Sequence, residues 1–172
     1  MNNRNAPARL PVLALRGLAV FPQQTVHFDV GRIKSAMALE YAVKHNQTLI
    51  LVPQKDILED DPGLTGLYPI GTVVKVKQIL KGQNENIRVL VEGLYRAKIY
   101  EMTQNEPYLA GIVEETLEVA VKDTLKTRAL CREAGVLYAT YSDLIERPAQ
   151  AVQLRILASE DCGFVADTIA QN

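Results

Sequence analysis

The chain has 172 residues, 48% hydrophobic and 23% charged, enough for one sizeable domain or two small ones of an ordinary globular type. A formal net charge of -1 supplies no global field for nucleic acid or an anionic membrane, and the absence of Trp with only 3 Phe argues against base-stacking platforms. Cys131 and Cys162 lie far apart in the sequence and in no CxxC pair, which points to a reducing compartment and to inert core thiols.

Met1–Ala8 is polar and Asn-rich and reads as a disordered lead. Leu10–Leu15 reads as a short buried strand, with a turn at Arg16–Gly17 and a second apolar stretch, Leu18–Phe21, ending at Pro22. Arg16 and Gly17 interrupt the run, so it has neither the unbroken core of a signal peptide nor the roughly 20 apolar residues of a membrane helix. From Thr25 to Val30 apolar and polar residues alternate, the period of a half-buried strand. Ser35–His45 carries Ala36, Leu39, Ala42 and Val43 at helical spacing, with Asn46 as terminator. Leu49–Val52 is a continuous apolar run stopped by Pro53, the pattern of a strand buried on both faces. Glu59–Gly63 is acidic turn material.

Gly71–Leu80 and Ile87–Leu94, joined by the polar KGQNEN (Lys81–Asn86), predict a long β-hairpin. Arg96–Tyr100 and Tyr108–Glu115 read as two further strands. Beyond Leu117 the texture turns helical: Val121, Leu125 and Ala129 fall on one stripe and Leu130, Leu137 and Tyr141 on a later one. Pro148 opens another helix through Val152, Leu154 and Leu157, and Phe164, Val165, Thr168 and Ile169 mark a last one.

Catalytic constellations are scarce. His27 and His45 have no HExxH partner and no Cys at metal-ligand spacing, and both read as solvated. No serine stands in a GxSxG elbow. GLYPIGT (Gly66–Thr72) lacks the Lys of a phosphate loop. Glu59, Asp60 and Asp61 lack the spaced ligands of a calcium loop and read as a charged turn. Lys75, Lys77, Arg88, Arg96 and Lys98 make either a basic strip or an ordinary solvated sheet face. What remains is a binding or structural module.

LPVLALRGLAVFPQQTVHFDVGRIKSAMALE (Leu10–Glu40) resembles the start of Lon proteases, where an LPLRxxVxFP opening leads through a strand and a VGRxKS turn into a helix. The similarity continues through LILVPQKD (Leu49–Asp56), DDPG (Asp60–Gly63), LYPIGTVVKVKQILK (Leu67–Lys81) and IRVLVEGLYRAKI (Ile87–Ile99) with its VEGxxRA signature. FVADTIA (Phe164–Ala170) is similar to the family's LADxIA helix. Between Thr116 and Asp161 no family motif stands out, and Ile33 in GRIKS occupies a place that is usually polar.

The resemblance implies the substrate-binding N-terminal domain of a bacterial, cytoplasmic, ATP-dependent Lon protease. It implies an α+β fold: a lead over 1–8, a PUA-like β-barrel with one packed helix over 9–116, and the start of a truncated helical subdomain over 117–172. No cofactor and no metal are expected in this fragment; ATP and Mg belong to the AAA+ module of the hexameric parent, and a Ser–Lys dyad to its protease module. The implied partners are unfolded or damaged proteins and other Lon subunits, with no membrane and with nucleic acid disfavoured. The alternatives are a pure oligomerisation or spacer element and a stand-alone PUA-like domain that binds RNA. A surface for unfolded chains calls for exposed apolar side chains on a rigid scaffold. The candidates are Leu18, Val20 and Phe21 in the first loop, Ile33 and Met37 at the helix start, and Leu67 and Tyr68 before the hairpin.

Overall fold

A computed structural model describes residues 6–81, 87–117, 123–144 and 150–172. Most of the expected lead, all but the first residue of the KGQNEN turn, Val121 and Pro148 lie outside them. The chain divides into two compact units, Met1–Leu117 and Glu118–Asn172.

The first unit holds six strands: β1 (Ala8–Leu15), β2 (Thr25–Val30), β3 (Thr48–Pro53), β4 (Ile70–Lys81), β5 (Ile87–Gln104) and β6 (Ala110–Glu115). Their order is β2-β5-β4-β3-β1-β6, and a further pairing of β6 with β5 closes five of them into a ring, leaving β2 as an extra strand on β5. The β1–β3 pair is parallel, with Val12 opposite Ile50 and Ala14 opposite Val52; every other pair is antiparallel. Side chains alternate between faces along a strand, so the LILV run of β3 serves two cores at once. Ile50 and Val52 join Val12, Ala14, Val73, Ala97, Ile99 and Val113, a cluster drawing on all five ring strands that fills the barrel. Leu49 and Leu51 face the other way, toward Leu13, Leu15, Val74, Val89 and Leu39.

Ile87–Leu94 and Arg96–Tyr100 are not two strands. They are parts of β5, whose 18 residues would span roughly 60 Å if flat. It bends instead. Its start pairs with β2 and its end with β6, and its registers with β4 and β6 shift at several points. Gly93 lies inside the strand read from the sequence, and its lack of a side chain is what the strand needs there. A Cβ there would stand 2.1 Å from the carbonyl oxygen of Phe21. The first loop lies across the strand at this point: Gln23 N donates to Gly93 O, and Gly93 N to Gln24 O, both at 2.9 Å.

Helix α1 (Ile33–Lys44) begins two residues earlier than its apolar spacing predicts and buries Ser35, Ala38, Leu39 and Ala42. Val43 is turned outward. Asn46 and Gln47 both take left-handed backbone angles (φ 54 and 58), the conformation that ends the helix, and Asn adopts it at little cost.

The second unit comprises α2 (Leu125–Asp143), α3 (Gln150–Ala158) and α4 (Cys162–Gln171) around Tyr138, Ile156 and Val165. Thr124 caps α2 by accepting from Thr127 N at 3.1 Å, and Asp161 caps α4 by accepting from the amides of Gly163 and Phe164. The α4 stripe read from the sequence is the buried one, with Val165 and Thr168 inside and Ile169 packed on the cluster, but the leucines read for α2 and α3 are not. Leu125, Leu130, Leu137 and Tyr141 of α2 are exposed, as are Leu154 and Leu157 of α3. The inward face of α2 carries Gly135, Tyr138 and Ser142, with Cys131 partly covered. Gly135 is there because α3 comes close: a Cβ would meet Ile156 Cγ2 at 3.3 Å. The cysteines, remote in sequence, are neighbours. Burial pushes the Cys131 thiol above its ordinary value, and a hydrogen bond with Cys162 adds to the effect.

Candidate functional site

Two adjoining grooves flank Arg32, the residue immediately before α1. The first, of about 360 Å³, has an apolar floor of Val12, Ala14, Leu109 and Pro62, with Ile33, Lys34, Ser35, Asp60 and Asp61 at its sides. The second, of about 420 Å³, runs along Leu13, Leu15, Leu18, Phe28 and Val30 and is bounded by Arg16, Asp29 and Gly31. Ala14, Arg32 and Ser35 line both.

The walls are built by pairing two motifs of opposite charge, GRIKS and EDDPG. Arg16 Nη2 donates to Asp60 Oδ1 at 2.6 Å and to Glu59 O at 3.2 Å. Lys34 Nζ binds Asp61 Oδ2 at 2.6 Å and Glu106 Oε1 at 2.8 Å; these two carboxylates, Asp61 first, hold its ammonium above the usual lysine value. Arg32 reaches Gln54 Oε1 at 2.5 Å, Asp60 O at 3.1 Å and, weakly, Ala14 O at 3.5 Å. Burial, and then the nearby Arg16, pull its guanidinium below the ordinary value, against the attraction of Asp60 and Asp61. Gln54 is the hub. It is 4% exposed, and its Nε2 donates to Asp56 O at 2.5 Å and Glu59 O at 3.0 Å while its Oε1 accepts from Arg32. A buried amide with all these bonds made fixes the 56–61 loop against the start of α1.

The structure sorts the candidate residues. Ile33 is 80% exposed at the first groove, and Leu18 is half-buried in the second. Met37, one turn after Ile33 on α1, and Tyr68 are exposed but line neither groove. Phe21 is half-buried with the Arg96 guanidinium 5.7 Å from its ring centre. Val20 and Leu67 are corrected to core residues, 5% and 1% exposed. Val20 is drawn in because its carbonyl accepts a buried hydrogen bond from Thr72 Oγ1 at 2.6 Å, and Leu67 because it bridges to Gln54. Sequence reasoning missed Arg32, Ser35 and Gln54 as site residues. The available signal was the pair of oppositely charged motifs, which makes sense only once they are seen to face each other.

Two members of the basic strip are in ion pairs: Lys77 with Glu92 at 2.9 Å and Arg88 with Asp29 at 3.0 Å. His27 and His45 are exposed, as expected. Among the described residues no group of His, Cys, Asp and Glu could hold a metal ion, and no helix is long and apolar enough to cross a membrane.

Residues 9–172 match the family described as the ATP-dependent protease La (LON) substrate-binding domain. The chain belongs to that family. The LON domain is 37% identical over its whole length to the Lon protease of Brevibacillus choshinensis, of which it covers 22%. It is also 37% identical over 95% of its length to Lon protease 1 of Bacillus subtilis, covering 21% of that protein. It thus spans about a fifth of these curated relatives. Among solved structures, the N-terminal domain of Mycobacterium avium complex Lon protease matches 94% of this chain and 81% of its own with a TM-score of 0.74, at 22% identity. A Lon N-terminal domain protein from Xanthomonas campestris matches 95% of this chain at a TM-score of 0.55 and 12% identity. Both likenesses concern the fold, and they agree with the α+β barrel-and-helix architecture.

Proposed function

We propose that this LON domain engages unfolded or damaged protein chains, through apolar surface around the start of α1, on behalf of an ATP-dependent Lon protease. The observation that carries the reading is Ile33. It is a large aliphatic side chain, 80% exposed, beside a groove with an apolar floor, on an element otherwise held by ion pairs and a buried amide hub. An exposed aliphatic group beside an apolar groove suits weak, adaptable contact with exposed hydrophobic segments. In this reading the domain has no catalytic part. ATP and Mg, an AAA+ module and a Ser–Lys dyad belong to other parts of a cytoplasmic, hexameric parent enzyme. The formal net charge of -1, and the ion pairs that occupy Lys77 and Arg88 of the basic strip, favour protein over RNA as the partner.

The test is an NMR titration of the chain with a disordered casein. Shifts concentrated on Ile33, Lys34 and Ala14, and weakened by Ile33→Ser without loss of stability, are expected. No shifts at any casein concentration would refute direct recognition. A second role, in assembly with other Lon subunits, is supported by the helical unit, where Leu125, Leu130, Val136, Leu137, Leu144 and Leu154 are all exposed. It predicts self-association in sedimentation that Leu137→Lys weakens.

A further inference from the structure

We propose that the first groove is a subsite for a chain terminus: it holds the C-terminal carboxylate of a polypeptide whose last side chain is apolar. The proposal rests on the substrate-binding reading and names the substrate feature it would select.

Three groups around the start of α1 lack a partner of the kind their chemistry calls for. The first helical hydrogen bond runs from Ala36 N to Arg32 O at 2.9 Å, and no side chain caps the helix, so the amides of Ile33, Lys34 and Ser35 are free donors. Ser35 is 9% exposed, lines the groove, and its hydroxyl makes no hydrogen bond among the described residues. Arg32 carries a positive charge on a half-buried guanidinium whose hydrogen bonds all end on neutral oxygens. The nearby carboxylates are committed elsewhere: Asp60 to Arg16, and Asp61 and Glu106 to Lys34. Free amides, a hydroxyl and a cation with no ion pair of its own among the described residues, though Asp60 and Asp61 attract it from the groove wall, are the donor set of a carboxylate site.

The apolar floor decides which carboxylate. Val12, Ala14, Leu109 and Pro62 offer no polar group to a ligand's side chain, and about 360 Å³ is at the small end of ligand pockets, room for one residue. On a C-terminal residue the carboxylate and an apolar side chain leave the same Cα, so one residue can fill both parts. An internal Asp or Glu brings a carboxylate with nothing apolar attached beyond its own methylenes.

The test compares one fluorescein-labelled decapeptide in three forms, by anisotropy against this chain: ending in Leu with a free carboxylate, ending in Leu amide, and the amide with Glu at the preceding position. The free acid is expected to bind about tenfold tighter than the amide, the scale of one charge-assisted contact, and the Glu-containing amide no better than the plain amide. Ser35→Ala should reduce affinity for the acid and leave the amide unchanged, and Arg32→Gln should reduce affinity for the acid more than for the amide. Because Arg32 also braces Gln54, its variant is read only beside Ser35→Ala, which removes one unpartnered hydroxyl. Equal binding of acid and amide, or a preference that survives both variants, overturns the proposal, as does failure of every peptide to bind while casein still does. If acid and amide bind equally and Ile33→Ser weakens both, the substrate-binding reading stands without a terminus subsite. Restored binding of the Glu-containing amide reassigns the site to acidic side chains and equally overturns the claim for termini.

Discussion

Replacing Gln54 by Leu isolates the device that positions the groove. Leu is of similar size and suits a site 4% exposed, so the change removes three hydrogen bonds while leaving the position filled. Two of the bonds are amide-to-carbonyl, each contributing about 0.5–1.5 kcal/mol net, and the third, from Arg32, is charge-assisted at about 1.5–3 kcal/mol. The sum is an upper limit, because Asp56 is exposed and Glu59 half-exposed, so their carbonyls recover water when the amide is gone. We expect a loss of about 3 kcal/mol, with Arg32 left as a half-buried cation short of a partner. Urea unfolding followed by far-UV circular dichroism would show a lower midpoint at an unchanged slope, and hydrogen exchange would speed up over 56–61 before the strands open. A loss below about 1 kcal/mol, or unchanged exchange in the loop, would show that the loop is held by its surface ion pairs and that Gln54 is a bystander.

Gly93→Ala puts a methyl group against the backbone of Phe21 and Pro22 and disturbs two hydrogen bonds across the strand, so a loss of about 2–4 kcal/mol is expected; Gly63→Ala, which meets nothing, should stay near zero, and equal effects in the urea assay would contradict the close approach. Ser142 is fully buried with its hydroxyl unpartnered, so Ser142→Ala should stabilise the helical unit by about 1 kcal/mol; a lower melting temperature would show that the hydroxyl is satisfied. Lys77, by its hydrogen bond and charge, holds the Glu92 carboxyl below its ordinary value. The stability this confers is full above the unfolded carboxylate value and lost as pH falls through the depressed one, so wild type should lose stability more steeply than Lys77→Gln over that acid range, and parallel curves would remove the ion pair from the account.

How much could be read in advance depended on whether a residue's environment is local. The alternation of Thr25–Val30 and the unbroken Leu49–Val52 run announce strands because the two faces of each meet uniform surroundings. Gly93 was legible as part of a strand but not in its role, which is set by the first loop, some 70 residues earlier in the chain, with nothing around it in sequence to say so. Asn46 was legible as a helix end because left-handed backbone is an intrinsic property of that residue. Helix α2 inverted the usual inference. Its leucines are its most apolar residues, yet the buried face carries Gly135, Tyr138 and Ser142: the glycine lets α3 approach closely, and Tyr138 supplies the apolar area of the contact.

The same reasoning explains why the candidate site was only half visible. Val20, Leu67 and Ile33 are all aliphatic residues at the edges of predicted elements, and the sequence treats them alike. The first two are core because single backbone or bridge contacts pull them under the sheet, while Ile33 has no such tether and stays out. An apolar side chain becomes evidence of function only when the core is complete without it. The barrel cluster and the α1-facing cluster are each closed by residues under 10% exposed, and neither includes Ile33. The polar half of the site was hidden for the opposite reason. Arg32, Lys34, Asp60 and Asp61 look like two solvated charge clusters about 27 residues apart, and only the fold sets them face to face. Once it does, the carboxylates pair with Arg16 and Lys34, and Arg32 feels Asp60 and Asp61 without forming an ion pair of its own among the described residues. Donors without a partner beside an apolar floor are what the proposed terminus subsite rests on.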